Sequence, residues 1–385
     1  VFMAHCKDKK KKRGTKDGKS SKDSPPKVPK DVVGAARPVN ADEEKARFLE
    51  ACKSQRPVSV ASPQFTYTID RPLLDMAMLK YPPPSHQYLP HALRIMEQLK
   101  LVHGTYEAFK ERNGGPRMSD EDANQVVQAY LADHALVDVI RVNFTTGMVA
   151  FASMTNALTN PTINLRSGEQ RSRWIEGVLN HELGTHFIRS MNNSGQVWAK
   201  KRKKYGLEDK NPTEEGLAAL HTVLERDGHH LWRAALLYYA TWKATQVSFS
   251  ELFDDLGQFL DSEEDRWDYC LRAKRGLSDS SAPGGLSKDQ MYLTGAMQIL
   301  EERKTVDPCW LYCGKVSLAD GKRLCQEQTA RVADLKYPRF LLDVDRYRRL
   351  LDEIVVSNNL VDLVDGPEAA ALATSDKKDA SDKKD

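Results

Sequence analysis

The segment Asn180-His181-Glu182-Leu183-Gly184-Thr185-His186 constrains the fold more than any other part of the chain. It places two imidazoles and a carboxylate close together in a stretch that reads as helix. Neutral imidazole is the commonest zinc ligand, and a Glu beside it is the usual general base of a metallopeptidase. The familiar zinc helix is H-E-x-x-H, with its histidines four apart, whereas here they are five apart. On a regular helix, positions i and i+4 differ by about 40° and positions i and i+5 by about 140°, so the second spacing aims the rings apart. The two rings converge only if the helix is locally widened, as in a π-type turn. Gly184 lies between them, where a distorted backbone meets least steric resistance. The pattern predicts a distorted metal-binding helix with His181 and His186 as ligands and Glu182 as the base.

A catalytic zinc usually takes three protein ligands and a water. The next candidate lies in Asn211-Pro212-Thr213-Glu214-Glu215-Gly216-Leu217-Ala218. Asn211 suits a helix N-cap and Pro212 the first helical position, so Glu214 falls where a capping role is available. Glu215 has no such role. On a helical wheel it shares a face with Ala218, Ala219 and Thr222, roughly opposite Leu217, Leu220 and Leu224. A face of small residues lets the helix approach another closely, and Glu215 is the expected third ligand. Zinc held this way would lower the pKa of a water to about 7, and Glu182 would take the proton and pass it to the leaving amine. The oxyanion needs a further donor, and spacing does not choose among Tyr, His, Lys and Arg.

At 385 residues and 40% hydrophobic, the chain has enough apolar material for one large domain or two smaller ones. No run of 18 apolar residues exists, so no membrane span is expected. The first residues lead straight into lysines without an apolar signal core, and the six cysteines are expected as reduced thiols in the cytosol. Cys309 and Cys313 are expected to pack rather than to bind metal. Residues 1–30 carry eleven Lys/Arg against three Asp, with almost nothing apolar. Such a segment reads as a disordered tail, either solvated or acting as an arm for an acidic surface. The expected organisation is a basic tail over 1–40, a catalytic domain over 41–365 (a helical part 41–136, then a catalytic part 137–365), and a second tail over 366–385.

Apolar spacing predicts helices over 41–52, 88–112 and 119–136. Short strands follow at Val139–Phe144, Met148–Met154 and Thr162–Leu165, the first two joined by a turn at Thr145-Thr146-Gly147. Ser167 and Gln170 suggest a capping box before the motif helix, and Asn192-Asn193-Ser194-Gly195 its end. Beyond 212 the pattern is almost wholly helical, with a Gly/Ser/Pro loop at 276–287. The fold class is α+β, helix-rich, with a small antiparallel sheet beside the motif helix. Thr162–Leu165 is the candidate edge strand, to which a substrate peptide could add.

His181-Glu182-Leu183-Gly184-Thr185-His186 followed by Glu214-Glu215-Gly216-Leu217-Ala218 resembles the H-E-x-x-x-H peptidases. Bacterial members of that group carry Gln-Glu-Gly-Leu-Ala, and its animal members are the microtubule-associated tyrosine carboxypeptidases. Further matches are Asn160-Pro161-Thr162-Ile163-Asn164, Ala273-Lys274-Arg275-Gly276-Leu277, and Lys288-Asp289-Gln290-Met291-Tyr292-Leu293 with Gly295. The resemblance spans residues 60–365 in outline. It implies a zincin-like domain with one catalytic Zn2+ on His181, His186 and Glu215, and Glu182 as base. It also implies removal of the C-terminal tyrosine of α-tubulin, with the tubulin tail and microtubules as partners and a cytoplasmic, cytoskeletal location. No membrane or nucleic-acid partner is expected, and a monomer is. A bacterial Gln at the position of Glu214 agrees with Glu215 as the ligand.

An exopeptidase needs a cation for the terminal carboxylate, ideally a bidentate Arg. Basic residues cluster at Lys200–Lys204 and at Arg272, Lys274 and Arg275. Arg275 and Lys288 are the candidates, with Arg189 behind them. Tyr292 is a candidate oxyanion donor, and the 276–287 loop a candidate lid. Two alternatives stand beside this reading: the same chemistry on another acidic protein tail, or a microtubule-binding protein with a non-catalytic zinc site.

Overall fold

A computed structural model describes residues 32–366 apart from 147, 149, 156, 157, 209 and 210. The basic segment 1–30 and the expected tail beyond 366 lie outside the described residues. Residues 32–40, assigned to the tail from sequence, are packed instead. Their short apolar run buries Val32 and Ala36 against Leu74, Ala77 and Leu286.

The helix Ala41–Cys52 begins with Asp42, Glu43 and Glu44 at the positive end of its dipole. The single helix expected over 88–112 is two, Leu89–His103 and Tyr106–Gly114. Gly104 at φ 82° ends the first, and the Thr105 hydroxyl caps the second by accepting from the Ala108 N–H. Ser119 caps Asp120–Asp133 in the same way, through the Asp122 N–H. The helix Trp232–Ala244, buried along most of its length, packs against Leu89–His103 and forms the centre of one continuous apolar core.

Three strands form the sheet: β1 (Arg141–Thr145), β2 (Ala152–Thr155) and β3 (Thr162–Arg166), in the order β1-β3-β2. β1 runs parallel to β3, and β2 antiparallel to it. The sheet is therefore mixed, which corrects the antiparallel expectation, and β1 and β2 do not pair as a hairpin. Gly147 of the expected turn lies outside the described residues. β3 buries both Ile163 and Leu165 and takes the central place, so Thr162–Leu165 is not an edge. The outer strand that packs against the motif helix is β2.

The expected capping box is not formed. The Ser167 hydroxyl donates to Asp120, Gln170 donates to the Phe151 and Arg166 carbonyls, and the helix starts later, at Ile175. The 276–287 loop is tied down: Gln64 donates to Asp279 at 3.0 Å, Ser280 donates to the Pro63 carbonyl, and Lys274 donates to the Ala282 carbonyl. Among the described residues no helix is long and apolar enough to cross a membrane.

Candidate active site

The motif helix changes pitch where the histidine spacing demands it. It is α-helical over Ile175–Leu179, a π-helix over Asn180–Phe187, and α-helical again over Ile188–Ser194, with Gly195 after its end. The widened turn brings the rings of His181 and His186 to 5.0 Å between centroids, at 76° to each other. The Thr185 hydroxyl donates to the carbonyl of Asn180, five residues back, at 2.8 Å. Gly184 is needed for space as well as pitch, because a β-carbon there would lie 2.9 Å from the Phe340 ring and from the Tyr130 hydroxyl.

Glycines also let the neighbouring helices come close. Gly177 of the motif helix meets the helix Thr213–Val223 so tightly that a β-carbon would lie 2.1 Å from the Thr222 carbonyl oxygen. On the far side, Gly216 touches Gly295 of the helix Met291–Glu302, where a β-carbon would lie 2.1 Å from backbone. Pinned between the two, the Thr213–Val223 helix carries Glu215 to the histidines. One donor atom from each of His181, His186 and Glu215 lies within 4.8 Å of the others.

The partners of the two imidazoles set their tautomers. The Thr222 hydroxyl spends its proton on the Ala218 carbonyl at 2.7 Å, so it accepts from His181 Nδ1–H at 2.9 Å. His186 Nδ1–H donates to Glu214 Oε1 at 2.7 Å. Each imidazole is thus left with Nε2 for a metal, and each is oriented by the bond at its other nitrogen. Two imidazoles, each with its Nε2 free, and one carboxylate at mutual ligand distance fit a four-coordinate zinc with one position open. Burial, aided by the His186 charge, pushes the His181 imidazole down to about 3. Burial would raise the Glu215 carboxyl, but Lys288 and the two imidazoles bring it down to about 2. Burial would lower His186, but Glu214 raises it. Glu182 lies against His181, its Oε1 3.9 Å from Nε2, and accepts from the backbone N–H of Met154 on β2. Burial raises its carboxyl, the direction a general base requires.

Glu214 does not cap its helix. Pro212 occupies the N-cap position, Asn211 makes no cap, and the Glu214 carboxylate serves His186, Arg189 and Lys315. That role was not legible in the sequence, because His186 and Arg189 lie 28 and 25 residues upstream and Lys315 lies far downstream.

The expected carboxylate-binding cations are engaged elsewhere. Arg189 is fully buried, paired with Glu214 and donating to the Leu311 and Val316 carbonyls. Arg275 turns inward with Arg272 onto Asp289, at 3.1 and 2.9 Å. Lys288 Nζ holds Glu215 Oε1 at 2.6 Å, so it supports the ligand set. Tyr292 stands beside His181, with ring centroids 6.3 Å apart and near parallel. Among the described residues its hydroxyl has no hydrogen bond. Lys200–Lys204 is largely exposed.

His181, Glu182 and Tyr292 line a cavity of about 230 Å³. Its other walls include Tyr106, Phe109, Phe151, Trp174 and Trp232. The fold and site define a helix-rich α+β domain of the H-E-x-x-x-H type. The chain belongs to the microtubule-associated tyrosine carboxypeptidase family, whose model matches residues 77–358. MATCAP2 of Mus musculus is 40% identical over 334 residues, covering 86% of this chain and 62% of that protein. Microtubule-associated tyrosine carboxypeptidase 1 of Rattus norvegicus is 38% identical over 348 residues, with 87% and 72% covered. Its Homo sapiens counterpart is 38% identical over 332 residues, with 86% and 68% covered. The chain therefore spans about three fifths to seven tenths of these relatives.

Proposed function

We propose that the chain is a zincin-like metallocarboxypeptidase that removes the C-terminal tyrosine of α-tubulin. The observation that carries the reading is the convergence of His181, His186 and Glu215 next to buried Glu182, with His181 and Glu182 lining an aromatic cavity. The names of the relatives supply the substrate class. His181 and His186, through Nε2, and Glu215, through its carboxylate, would hold one zinc ion. When bound, that ion supplies a Lewis acid and lowers the pKa of a water to about 7.

The protein's own groups do the rest. Glu182 Oε1 accepts the proton of the attacking water and returns it to the leaving amine. The free hydroxyl of Tyr292 donates to the developing oxyanion. Lys288 keeps Glu215 ionised, and Glu214 keeps His186 in the tautomer that exposes Nε2. The outer strand β2 gives the substrate main chain a partner beside Glu182. Microtubules are the proposed partner and the cytoskeleton the proposed location.

The test is mass spectrometry of α-tubulin C termini after incubation with the purified protein. Loss of a single tyrosine, abolished by a zinc chelator, is expected. Intact tails after incubation with zinc-loaded protein would overturn the substrate assignment.

A further inference from the structure

A carboxypeptidase must hold a carboxylate one residue beyond the scissile bond. Successive Cα atoms are only about 3.8 Å apart, so the cation for it has to line the same cavity as His181 and Glu182. Six cationic side chains line that cavity: Lys110, Arg117, Arg171, Arg226, Arg233 and Arg272. Four of them are neutralised. Lys110 pairs with Asp265, Arg117 with Glu169, Arg171 with Glu111 and Arg272 with Asp289. Arg226 donates to the Trp174 carbonyl and stacks on the Trp174 ring. Of these six, Arg233 alone has neither a side-chain hydrogen bond nor an ion pair among the described residues. Its guanidinium lies 5.2 Å from the centre of the Phe151 ring, and its side chain is half-buried.

Two further features mark Arg233 as unusual. It sits in the first turn of the helix Trp232–Ala244, where the helix dipole already gives positive potential and a cation is unfavourable. That turn contains no acidic residue to offset it. A partly desolvated cation at a positive helix end, with the Phe151 ring but no anion beside it, loses solvation that a ligand's anion would offset. The cavity lining holds other unspent donors: Trp174 Nε1, Trp232 Nε1 and Arg226 Nε are buried without partners.

We infer that Arg233 takes the C-terminal carboxylate of the substrate, with the ring of the last residue seated among Tyr106, Phe109, Trp174 and Trp232. The inference rests on the peptidase reading above and replaces Arg275, Lys288 and Arg189 in that role. The fork of a guanidinium donates to both oxygens of a carboxylate, a pair of acceptors that a C-terminal amide or a continuing chain cannot offer.

The experiment uses an acidic peptide ending in Tyr, as free acid and as C-terminal amide. Zinc-loaded wild type, Arg233→Gln and Arg233→Lys are compared by kcat/KM. Binding of both peptides is measured by calorimetry on Glu182→Gln with and without Arg233→Gln. Zinc content and melting temperature check that each variant is folded. The wild type should prefer the acid, and Arg233→Gln should lower the acid-over-amide ratio about 100-fold, in both turnover and binding. Arg233→Lys should restore part of the ratio. An Arg233→Gln protein that keeps the wild-type ratio overturns the assignment while leaving the peptidase reading intact. A wild type that cleaves both peptides equally also overturns it, because the terminal carboxylate then contributes nothing to recognition. A wild type that neither cleaves nor binds either peptide removes the peptidase reading, and this assignment with it.

Discussion

Replacing Gly295 with Ala should disable the metal site from a helix that contributes none of its proposed ligands. A β-carbon on Gly295 would lie 2.0 Å from the Pro212 carbonyl oxygen, 2.5 Å from the Pro212 carbonyl carbon and 2.9 Å from Gly216 Cα. All three are backbone atoms, so no side chain can rotate away. Real β-carbons essentially never come within 3.0 Å of another atom, so the two helices must part by about 1 Å at their crossing. Glu215 sits one residue before Gly216 and moves with it, whereas ligand distances tolerate only about 0.2 Å. Overpacking of this kind costs about 1–3 kcal/mol, and each kcal/mol is about 2 °C of Tm in a domain this large. The expected result is a Tm lower by about 2–6 °C and zinc affinity lower by at least about 10-fold, read by chelator competition. Gly195→Ala is the control. That residue has helical φ, and the nearest atom to a new β-carbon is 3.6 Å away, so affinity should not change. A Gly295→Ala protein with wild-type Tm and wild-type zinc affinity would refute the reasoning.

Other outcomes follow from the same geometry. Glu214→Gln should lower zinc affinity about 10–100-fold by loosening His186, with Tm as the check that the fold survives. Asp289→Asn should cost about 3–5 kcal/mol in chemical denaturation at pH 7, since Arg272 and Arg275 would lose their buried counter-ion. Burial alone would raise the Asp289 carboxyl, but those arginines hold it well below the usual carboxylate range. Its stabilising effect is therefore complete above the unfolded-state value of about 4 and fades as pH falls below that, and the Asn variant should lack this acid-side loss. Deleting residues 1–30, eleven of them Lys or Arg, should weaken co-sedimentation with microtubules, and an unchanged pellet would leave the tail without that role.

What the sequence revealed was local. His181, Glu182 and His186 lie within one helix, and their spacing alone demanded the π-turn that the backbone adopts. The approach of the helix that carries Glu215 was legible because a face of small residues announced a close crossing, and Gly177 of the motif helix meets the Thr222 carbonyl there. What stayed hidden depends on partners distant in sequence. Nothing near Glu214 indicates Arg189 or Lys315. The strand order requires knowing that β1 crosses over to lie parallel to β3, which periodicity does not encode. Charge clustering misled. Lys200–Lys204 is largely solvated and Arg272 and Arg275 fold onto Asp289, while Arg233 is a lone cation in Leu231-Trp232-Arg233-Ala234-Ala235-Leu236.

The most direct test of the whole account separates metal binding from turnover at Glu182. Wild type and Glu182→Gln, each reconstituted with zinc, are incubated with α-tubulin and the C termini are read by mass spectrometry, alongside zinc stoichiometry for each protein. The account predicts one zinc per chain in both and tyrosine loss only in the wild type, with the variant slower by several orders of magnitude. Equal tyrosine release by the Glu182→Gln protein would contradict it.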